Sequence, residues 1–253
     1  MPTVRLLAHT PDPEKLVAAA AKLCYSRYDA TTLMDGLTPQ KTEDFINMLS
    51  EIGHESPIEH ISFTFAIEGV SRAFLAQITR HRLASYSVQS QRYVKKDQFE
   101  YILPPEIAKN EEAKQLYLDT MASLEETYRK LAAMLTEQQL ADIPDPTPEQ
   151  RKAAEKVAIE DARFVLPNAC DTKMVVTMNA RSLLNFFRLR CCNRAQWEIR
   201  EVARQMLMLA REVAPNIFAK AGPACLKGPC PEGAKTCGKM VEVRKLYKAN
   251  TEA

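Results

Sequence analysis

Long apolar runs are missing from the sequence, and their absence argues against a membrane protein. A membrane-spanning helix needs about 18 consecutive, mostly apolar residues, and no stretch of the chain approaches that length. The opening segment, MPTVRLLAHTPDPEK, also lacks the apolar core and small-residue cleavage site of a secretory signal. We therefore expect a cytoplasmic protein with no membrane partner.

Aromatic residues and net charge are also scarce. Aromatic side chains make up 7% of the chain, with a single Trp, and the formal net charge is only +2. Proteins that bind nucleic acid generally carry a basic surplus, and those that bind single strands add aromatic platforms for base stacking. The composition therefore argues against a general nucleic-acid binder.

The seven cysteines form an odd set without a secretory signal, so we expect mostly reduced thiols. Cys225, Cys230 and Cys237 lie close together near the end of the chain. A structural zinc site normally uses four ligands in closely spaced pairs, and this group has neither a close pair nor a nearby His. We predict no metal here. Surface thiols, or a disulfide under oxidising conditions, are the alternatives.

Acidic residues are absent from two long blocks. Residues 69–96 contain six Lys or Arg and no Asp or Glu, and residues 172–197 contain five and again no acid. A solvated face usually mixes the two signs of charge. Two such blocks in a nearly neutral protein indicate a concentrated site for anions such as phosphates or carboxylates.

The hydrophobic pattern predicts the α/β (or α+β) class, with a small, mostly antiparallel, twisted sheet flanked by helices in a single domain. Residues 61–68 alternate apolar and polar positions, as a half-buried strand does. Residues 111–140 form a long amphipathic pattern, and Thr147, Pro148 and Gln150 predict a capping box at the start of the next helix. We assign the folded domain to residues 1–222 and an irregular, Cys- and Lys-rich tail to residues 223–253.

The densest polar cluster begins at Arg80-His81-Arg82 and continues to Arg92. Three arginines and a histidine so close together repel one another unless an anion binds them, and the planar guanidinium suits both phosphate and the imide edge of a pyrimidine. The alternative is a surface helix end that happens to carry several arginines.

This segment, RHRLASYSVQSQRY, resembles the signature of the flavin-dependent thymidylate synthases: Arg-His-Arg, seven residues, then a serine. The matching positions are Arg80, His81, Arg82 and Ser90. Three other segments resemble further family motifs and follow in the family's order. They are GHESPIEH (53–60), DARFVLP (161–167), and NARSLLNFFRLR (179–190) followed by AQWEIR (195–200).

The resemblance implies synthesis of dTMP from dUMP, with FAD as cofactor, NADPH as reductant and methylenetetrahydrofolate as carbon donor. It also implies a homotetramer with shared active sites. The residues expected to contact FAD are His54, Ser56, Glu59, Arg80, His81, Arg82, Asn179, Arg181 and Asn185. Those expected to contact dUMP are Gln77, Arg80, Ser90, Gln91, Arg92, Arg163 and Arg190.

Within these sets the chemistry suggests individual roles. Arg181 and Asn185 are four residues apart and share one helix face, and Asn179 can cap that helix beside them. Arg190 is expected to activate the uracil ring, and Ser90 to hold the nucleotide because its sequence neighbours include no usable base.

Two other functions stay open at this point. An RNA-binding or nucleotide-sensing module could use the same arginines, but it would bind no flavin and would depend strongly on salt. A flavoprotein of another activity, or a family member specialised away from synthesis, is favoured only by Val88, which together with Ser87 stands where many family members have Asn-Glu. Whether the protein binds flavin, and whether dUMP perturbs that flavin, separates the three.

Overall fold

The computed structural model describes residues 1–91 and 100–249. It contains one four-stranded sheet among these residues. The strands β1 to β4 are Thr3–His9, Ser62–Ser71, Ser85–Val88 and Asp171–Asn179. Their order across the sheet is β1-β2-β4-β3, and β1 runs antiparallel to β2. This arrangement confirms the predicted class of a small sheet flanked by helices.

Helices make up most of the rest of the described chain. None of them is long and apolar enough to cross a membrane. Numbered α1 to α11 in chain order, they are Pro13–Leu23, Ala30–Asp35, Pro39–Ile52, Arg72–Ile78, Pro105–Ala108, Glu111–Leu140, Pro148–Ala162, Ala180–Arg190, Trp197–Val213, Pro215–Phe218 and Met240–Ala249.

The alternating pattern of strand β2 builds the centre of the core. Ile61, just before the strand, and Phe63, Phe65 and Ile67 within it are fully buried. The ring of Phe63 meets that of Phe218 edge-on at 5.5 Å between centroids. This alternating burial confirms the predicted strand. Fully burying each such side chain contributes about 1.5–3 kcal/mol to stability, and the surrounding helices pack on this apolar face.

Capping residues explain where several helices begin. The Thr147 hydroxyl accepts a hydrogen bond from the Gln150 amide, and the Gln150 side chain accepts from the Thr147 amide, which confirms the predicted capping box. Asp12 precedes Pro13 at the start of α1, a sequence typical of a helix cap, but it does not cap the helix through its side chain. A capping side chain reaches the helix amides from an extended backbone, whereas Asp12 has φ 42° and ψ 53°.

The prediction of an irregular tail after residue 222 is wrong for Met240–Ala249, which form helix α11. Val243 and Tyr247 lie four residues apart on one face and are both buried. The Tyr247 hydroxyl donates to the carbonyl of Cys191 at 3.3 Å. The Gly, Pro, Lys and Cys content of the tail hid this short apolar stripe. The domain boundary at residue 222 stays a prediction.

The chain contacts divide the protein into two compact units. The first contains residues 1–68, 77–87 and 174–253, and the second contains residues 69–76 and 88–173. The long helices α6 and α7 pack against each other in the second unit. Strand β1 and helices α1, α3, α8 and α9 belong to the first unit, which also holds Arg80, His81, Arg82, Arg181 and Arg190.

A buried arginine joins three segments of the first unit. Arg211 of α9 is only 8% exposed. Its guanidinium donates to the carbonyls of Phe218 at 3.2 Å, Ala221 at 2.8 Å and Tyr247 at 3.3 Å. Burial lowers the pKa of Arg211, and the planar fork of donors compensates by satisfying three backbone acceptors at once.

We predict that Arg211→Leu destabilises the fold. An orphaned buried acceptor costs about 1–3 kcal/mol, so the loss of three partners should lower the free energy of unfolding by about 3 kcal/mol or more. Chemical denaturation followed by far-UV circular dichroism measures this. Arg151→Leu, on the exposed surface of α7, is the control and should shift stability by about 0.5 kcal/mol or less. Equal midpoints for the two variants would contradict the prediction.

Candidate functional site: a basic cleft beside helix α8

Helix α8 buries one face in the core and exposes the other, which carries polar side chains. Ala180, Leu183, Phe186 and Phe187 are buried, so residues 181, 185 and 188 turn outward at helical spacing. At its start, the Oδ1 of Asn179 accepts from the Ser182 amide at 2.8 Å, which confirms the predicted cap. The first turn of α8 therefore places outward polar side chains at the positive end of the helix dipole, while its Ala180 and Ser182 amides already donate to Ile61 and Asn179.

Two carboxylates from the GHESPIEH segment contact the first outward residue of α8. Arg181 donates to Glu59 from one terminal nitrogen and lies 3.5 Å from Glu55 through its Nε. These carboxylates, Glu59 first, raise the pKa of Arg181. The Arg181 side chain is 51% exposed, and exposed ion pairs are weak because water and salt screen the charges. An incoming anion can therefore displace these carboxylates at little cost.

The two basic blocks meet in a hydrogen bond between Arg190 and His81. The Nε of Arg190 donates to the Nε2 of His81 at 3.0 Å. The His81 ring also packs edge-on against Phe186 at 4.9 Å between centroids. Desolvation, and then the charge of Arg190, lower the pKa of His81 to about 4. His81 is thus a neutral acceptor at physiological pH, with its Nε2 lone pair committed to the arginine.

Tyr86 holds the backbone of the Arg80–Arg82 segment in place. Its hydroxyl lies 2.7 Å from the carbonyl oxygen of Ile78 and 2.9 Å from that of His81. Burial raises the pKa of Tyr86 to about 12, so it remains a protonated donor. This contact orders the turn between α4 and β3, and the position of His81 follows from it.

These elements line an open cleft of about 1180 Å³. Seven of the lining side chains are Lys or Arg, and only Glu55 and Glu59 are acidic. Residues 80–83 of the first basic block and residues between 220 and 231 also line the cleft. The cations are Arg80, Arg82, Arg181, Arg188, Arg190, Lys220 and Lys227. Such a surplus in a concave surface favours a polyanionic ligand.

Several of the expected site residues lie elsewhere in the described chain. His54 and Ser56 hydrogen-bond to each other at 3.1 Å and do not line the cleft. Gln77 lies in α4, one turn before the cleft residue Arg80.

The second compact unit contains three more of the expected residues, Ser90, Gln91 and Arg163. Arg163 ends α7 and donates to the carbonyl of Glu160 at 3.1 Å. Arg92 lies outside the described residues.

The comparisons with known proteins agree with the motifs. Residues 5–216 match the family model described as thymidylate synthase complementing protein. A flavin-dependent thymidylate synthase of Clostridium tetani is 54% identical over 244 residues, covering 96% of each chain. The chain belongs to the flavin-dependent thymidylate synthase family. A second member, from Geobacter sulfurreducens, is 47% identical and covers 97% of each chain.

A solved structure supports the fold of this family member. The crystal structure of the UMP/dUMP methylase PolB from Streptomyces cacaoi, bound with 5-Br dUMP, superposes with a TM-score of 0.64. The match covers 87% of this chain and 93% of the other, at 23% sequence identity. At that identity the likeness establishes the shared architecture alone.

Two parts of the site were not found from the sequence of this family member. Glu55 contacts Arg181, although it was not among the residues of that segment expected to contact the cofactor. Residues 220–231 form a wall of the cleft, although the tail was expected to be an appendage. Lys220 and Lys227 were the available sequence signal for this wall, because basic residues from any neighbouring segment can contribute to an anion site.

The depressed pKa of His81 predicts a pH-dependent stability. The ordinary value is 6.5 and the folded value is about 4. Between pH 6.5 and 4, His81 becomes protonated in the unfolded chain but stays neutral in the folded chain. His81 thus stabilises the fold above about pH 6.5, and this contribution is lost as the pH falls toward 4.

His81→Gln removes the titration but keeps an amide oxygen that can accept from Arg190. We expect its melting temperature to fall less than that of the wild type between pH 6.5 and 4, measured by scanning calorimetry. His60→Gln, at an exposed position, should keep the wild-type profile. Parallel profiles for His81→Gln and the wild type would show that the histidine is not desolvated as described.

Proposed function

We propose that this protein makes dTMP from dUMP by reductive methylation, with FAD as the mediator, NADPH as the reductant and methylenetetrahydrofolate as the carbon donor. The observation that carries the proposal is the cleft in which Arg80, His81 and Arg82 of one motif meet Arg181 and Arg190 of another. The near full-length identity to relatives named flavin-dependent thymidylate synthase supports the same activity.

The residues of the cleft fit a flavin dinucleotide. Its diphosphate needs positive charge, which Arg80, Arg82, Arg181 and the positive end of the α8 dipole offer together. Asn185, one turn after Arg181, adds a side-chain amide on the same outward face. When bound, the flavin supplies the redox and one-carbon chemistry, while the protein supplies placement and charge.

Arg190 is proposed to activate the uracil ring. Its Nε is occupied by His81, and no described residue accepts a hydrogen bond from its two terminal nitrogens. These donors are therefore available to a carbonyl–imide edge. A guanidinium at that edge stabilises negative charge on the ring and so raises the nucleophilicity of C5, which is otherwise a poor nucleophile. The neutral His81 fixes the direction in which those donors point.

Ser90 is proposed to hold dUMP and not to attack it. A nucleophilic serine needs a base within hydrogen-bond reach, and its sequence neighbours Gln89, Gln91 and Arg92 are not bases. Gln77, Gln91, Arg92 and Arg163 complete the proposed nucleotide contacts. The homotetramer with shared active sites and the cytoplasmic location also remain predictions.

The first test is flavin binding by Arg181→Ala. The variant loses a forked cation and leaves Glu55 and Glu59 unpaired in the cleft, so we expect it to fold but to purify with little FAD. Flavin absorbance per chain, with circular dichroism as the folding check, measures this. Arg5→Ala, an exposed arginine of β1 outside the cleft, should keep full occupancy. Full occupancy in both variants would refute the role of Arg181.

The second test separates substrate activation from flavin binding. Arg190→Ala should keep flavin reduction by NADPH nearly intact but slow dTMP formation roughly 100- to 1000-fold, about 2.7–4 kcal/mol for one lost donor. Stopped-flow reduction and single-turnover product analysis distinguish the two steps. Arg5→Ala, an exposed arginine of β1 outside the cleft, is the control and should synthesise normally. Near-normal synthesis by Arg190→Ala would transfer the role, with Arg163 the next candidate.

A further inference from the structure

Residues 220–231, called here the tail wall, line the basic cleft with cations that the proposed chemistry does not yet use. The wall follows residue 216, where the match to the family model ends, so its role has to be argued from its own residues. Lys220 and Lys227 are its two cationic lining residues, and both are exposed. Within the described part of the chain neither lysine forms a salt bridge. Both charges are therefore available to an anionic ligand.

An arginine of α11 fixes the backbone around Lys227. Arg244 donates to the carbonyl of Cys225 at 2.8 Å and to that of Gly228 at 2.6 Å. These two acceptors bracket Lys227, whose own amide ends a short 3-10 turn by donating to the carbonyl of Ala224 at 3.4 Å. The backbone that carries this lysine is thus held in place before a ligand binds, which lowers the entropic cost of binding.

The other end of the tail wall is fixed beside Lys220. The buried Arg211 donates to the carbonyl of Ala221, the next residue, at 2.8 Å. Gly222 follows with a φ of 142°, and a Cβ at that position would lie 2.6 Å from the Leu226 side chain. Both the conformation and the close packing require glycine here. The wall therefore presents its two lysines from a fixed backbone.

The rest of the wall's lining is mostly apolar and borders the end of α8. Pro223, Ala224, Pro229 and Pro231 line the cleft. All of these except Pro229 also line a neighbouring cavity of about 310 Å³, together with Arg190 and three cysteines of the tail. The wall thus offers an apolar strip and two cations beside the arginine that is proposed to activate the uracil ring.

The chemistry of the wall distinguishes among the anionic ligands of the proposed reaction. FAD and dUMP already have arginine partners, so the folate and NADPH remain without assigned contacts. The arginine fork matches the fixed geometry of phosphate better than lysine does, whereas lysine is a point charge on a flexible stem. A folate combines an apolar aminobenzoyl ring with a flexible glutamate tail that carries carboxylates. An apolar strip with a lysine on each side of it suits that combination.

We propose that the tail wall binds the glutamate tail of the folate carbon donor. Lys220 and Lys227 pair with its carboxylates, and the proline-containing strip packs against its aminobenzoyl ring. The inference rests on the proposed function, since that function makes the folate a substrate. Both lysines contact the substrate away from the reacting carbon. They should therefore affect the KM for the folate and leave kcat at saturating folate unchanged.

The first measurement is steady-state kinetics of the double variant Lys220→Ala/Lys227→Ala. Its KM for methylenetetrahydrofolate should rise roughly five- to tenfold, because two exposed charge pairs are lost. Its flavin occupancy and its KM for dUMP and NADPH should stay at the wild-type values. Lys235→Ala, at an exposed lysine of the tail that lines neither cavity, is the matched control and should keep the wild-type KM for the folate. The charge-conserving Lys220→Arg/Lys227→Arg should stay close to it.

The second measurement needs no turnover. Folates with longer glutamate chains carry more carboxylates, so the wild type loaded with FAD and dUMP should bind a triglutamate form of tetrahydrofolate more tightly than the monoglutamate. Titration calorimetry measures both affinities. The double alanine variant should lose most of this preference, and added salt should reduce it in the wild type because salt screens exposed charges.

Several results would overturn the proposal. They are an unchanged folate KM in the double alanine variant, the same preference for the triglutamate in variant and wild type, or a rise confined to the KM for NADPH or dUMP. Failure of the proposed function gives a different pattern, in which the wild type itself forms no dTMP from dUMP, NADPH and the folate. The titration then still decides whether the two lysines bind a folate.

Discussion

The hydrogen bond from Arg190 to His81 is the interaction on which the site geometry depends. It joins a residue at the end of α8 to a residue in the turn after α4, 109 positions apart in the chain. A guanidinium and an imidazole attract each other in this way only while the imidazole is neutral. Burial against Phe186 keeps it so, and the apolar core thereby sets the charge state of the site.

Along α8, too, apolar packing positions the polar side chains of the site. Its buried face packs into the aromatic core around Phe63 and Phe218, and its outward face carries Arg181, Asn185 and Arg188. A rigid, well-packed helix holds its polar side chains more accurately than a loop does. The exposed pairing of Arg181 with Glu55 and Glu59 is weak by comparison, which suits a position that exchanges partners when a ligand binds.

The tail contributes more than its composition indicated. It supplies Lys227 to the basic cleft, three thiols to the neighbouring cavity, and helix α11 to the core. Arg211 and Arg244 fix it by donating to backbone carbonyls. These two arginines therefore stabilise this part of the fold through backbone acceptors.

Local patterns in the sequence determined a large part of the structure. Period-two alternation placed β2, and the capping signals of Asn179 and Thr147 placed the starts of α8 and α7, because these effects act between residues only a few positions apart. The motifs also identified the family, and they predicted Arg181 and Arg190 as ligand-contacting residues from the sequence alone.

Only the tertiary structure decided which of these residues meet. The neutral state of His81, the partnership of Glu55 with Arg181, the helix in the tail and the wall that residues 220–231 add to the cleft all arise from long-range packing. Desolvation and proximity are properties of a folded neighbourhood, and residues separated by thirty or more positions carry no local signal of the neighbours they will acquire.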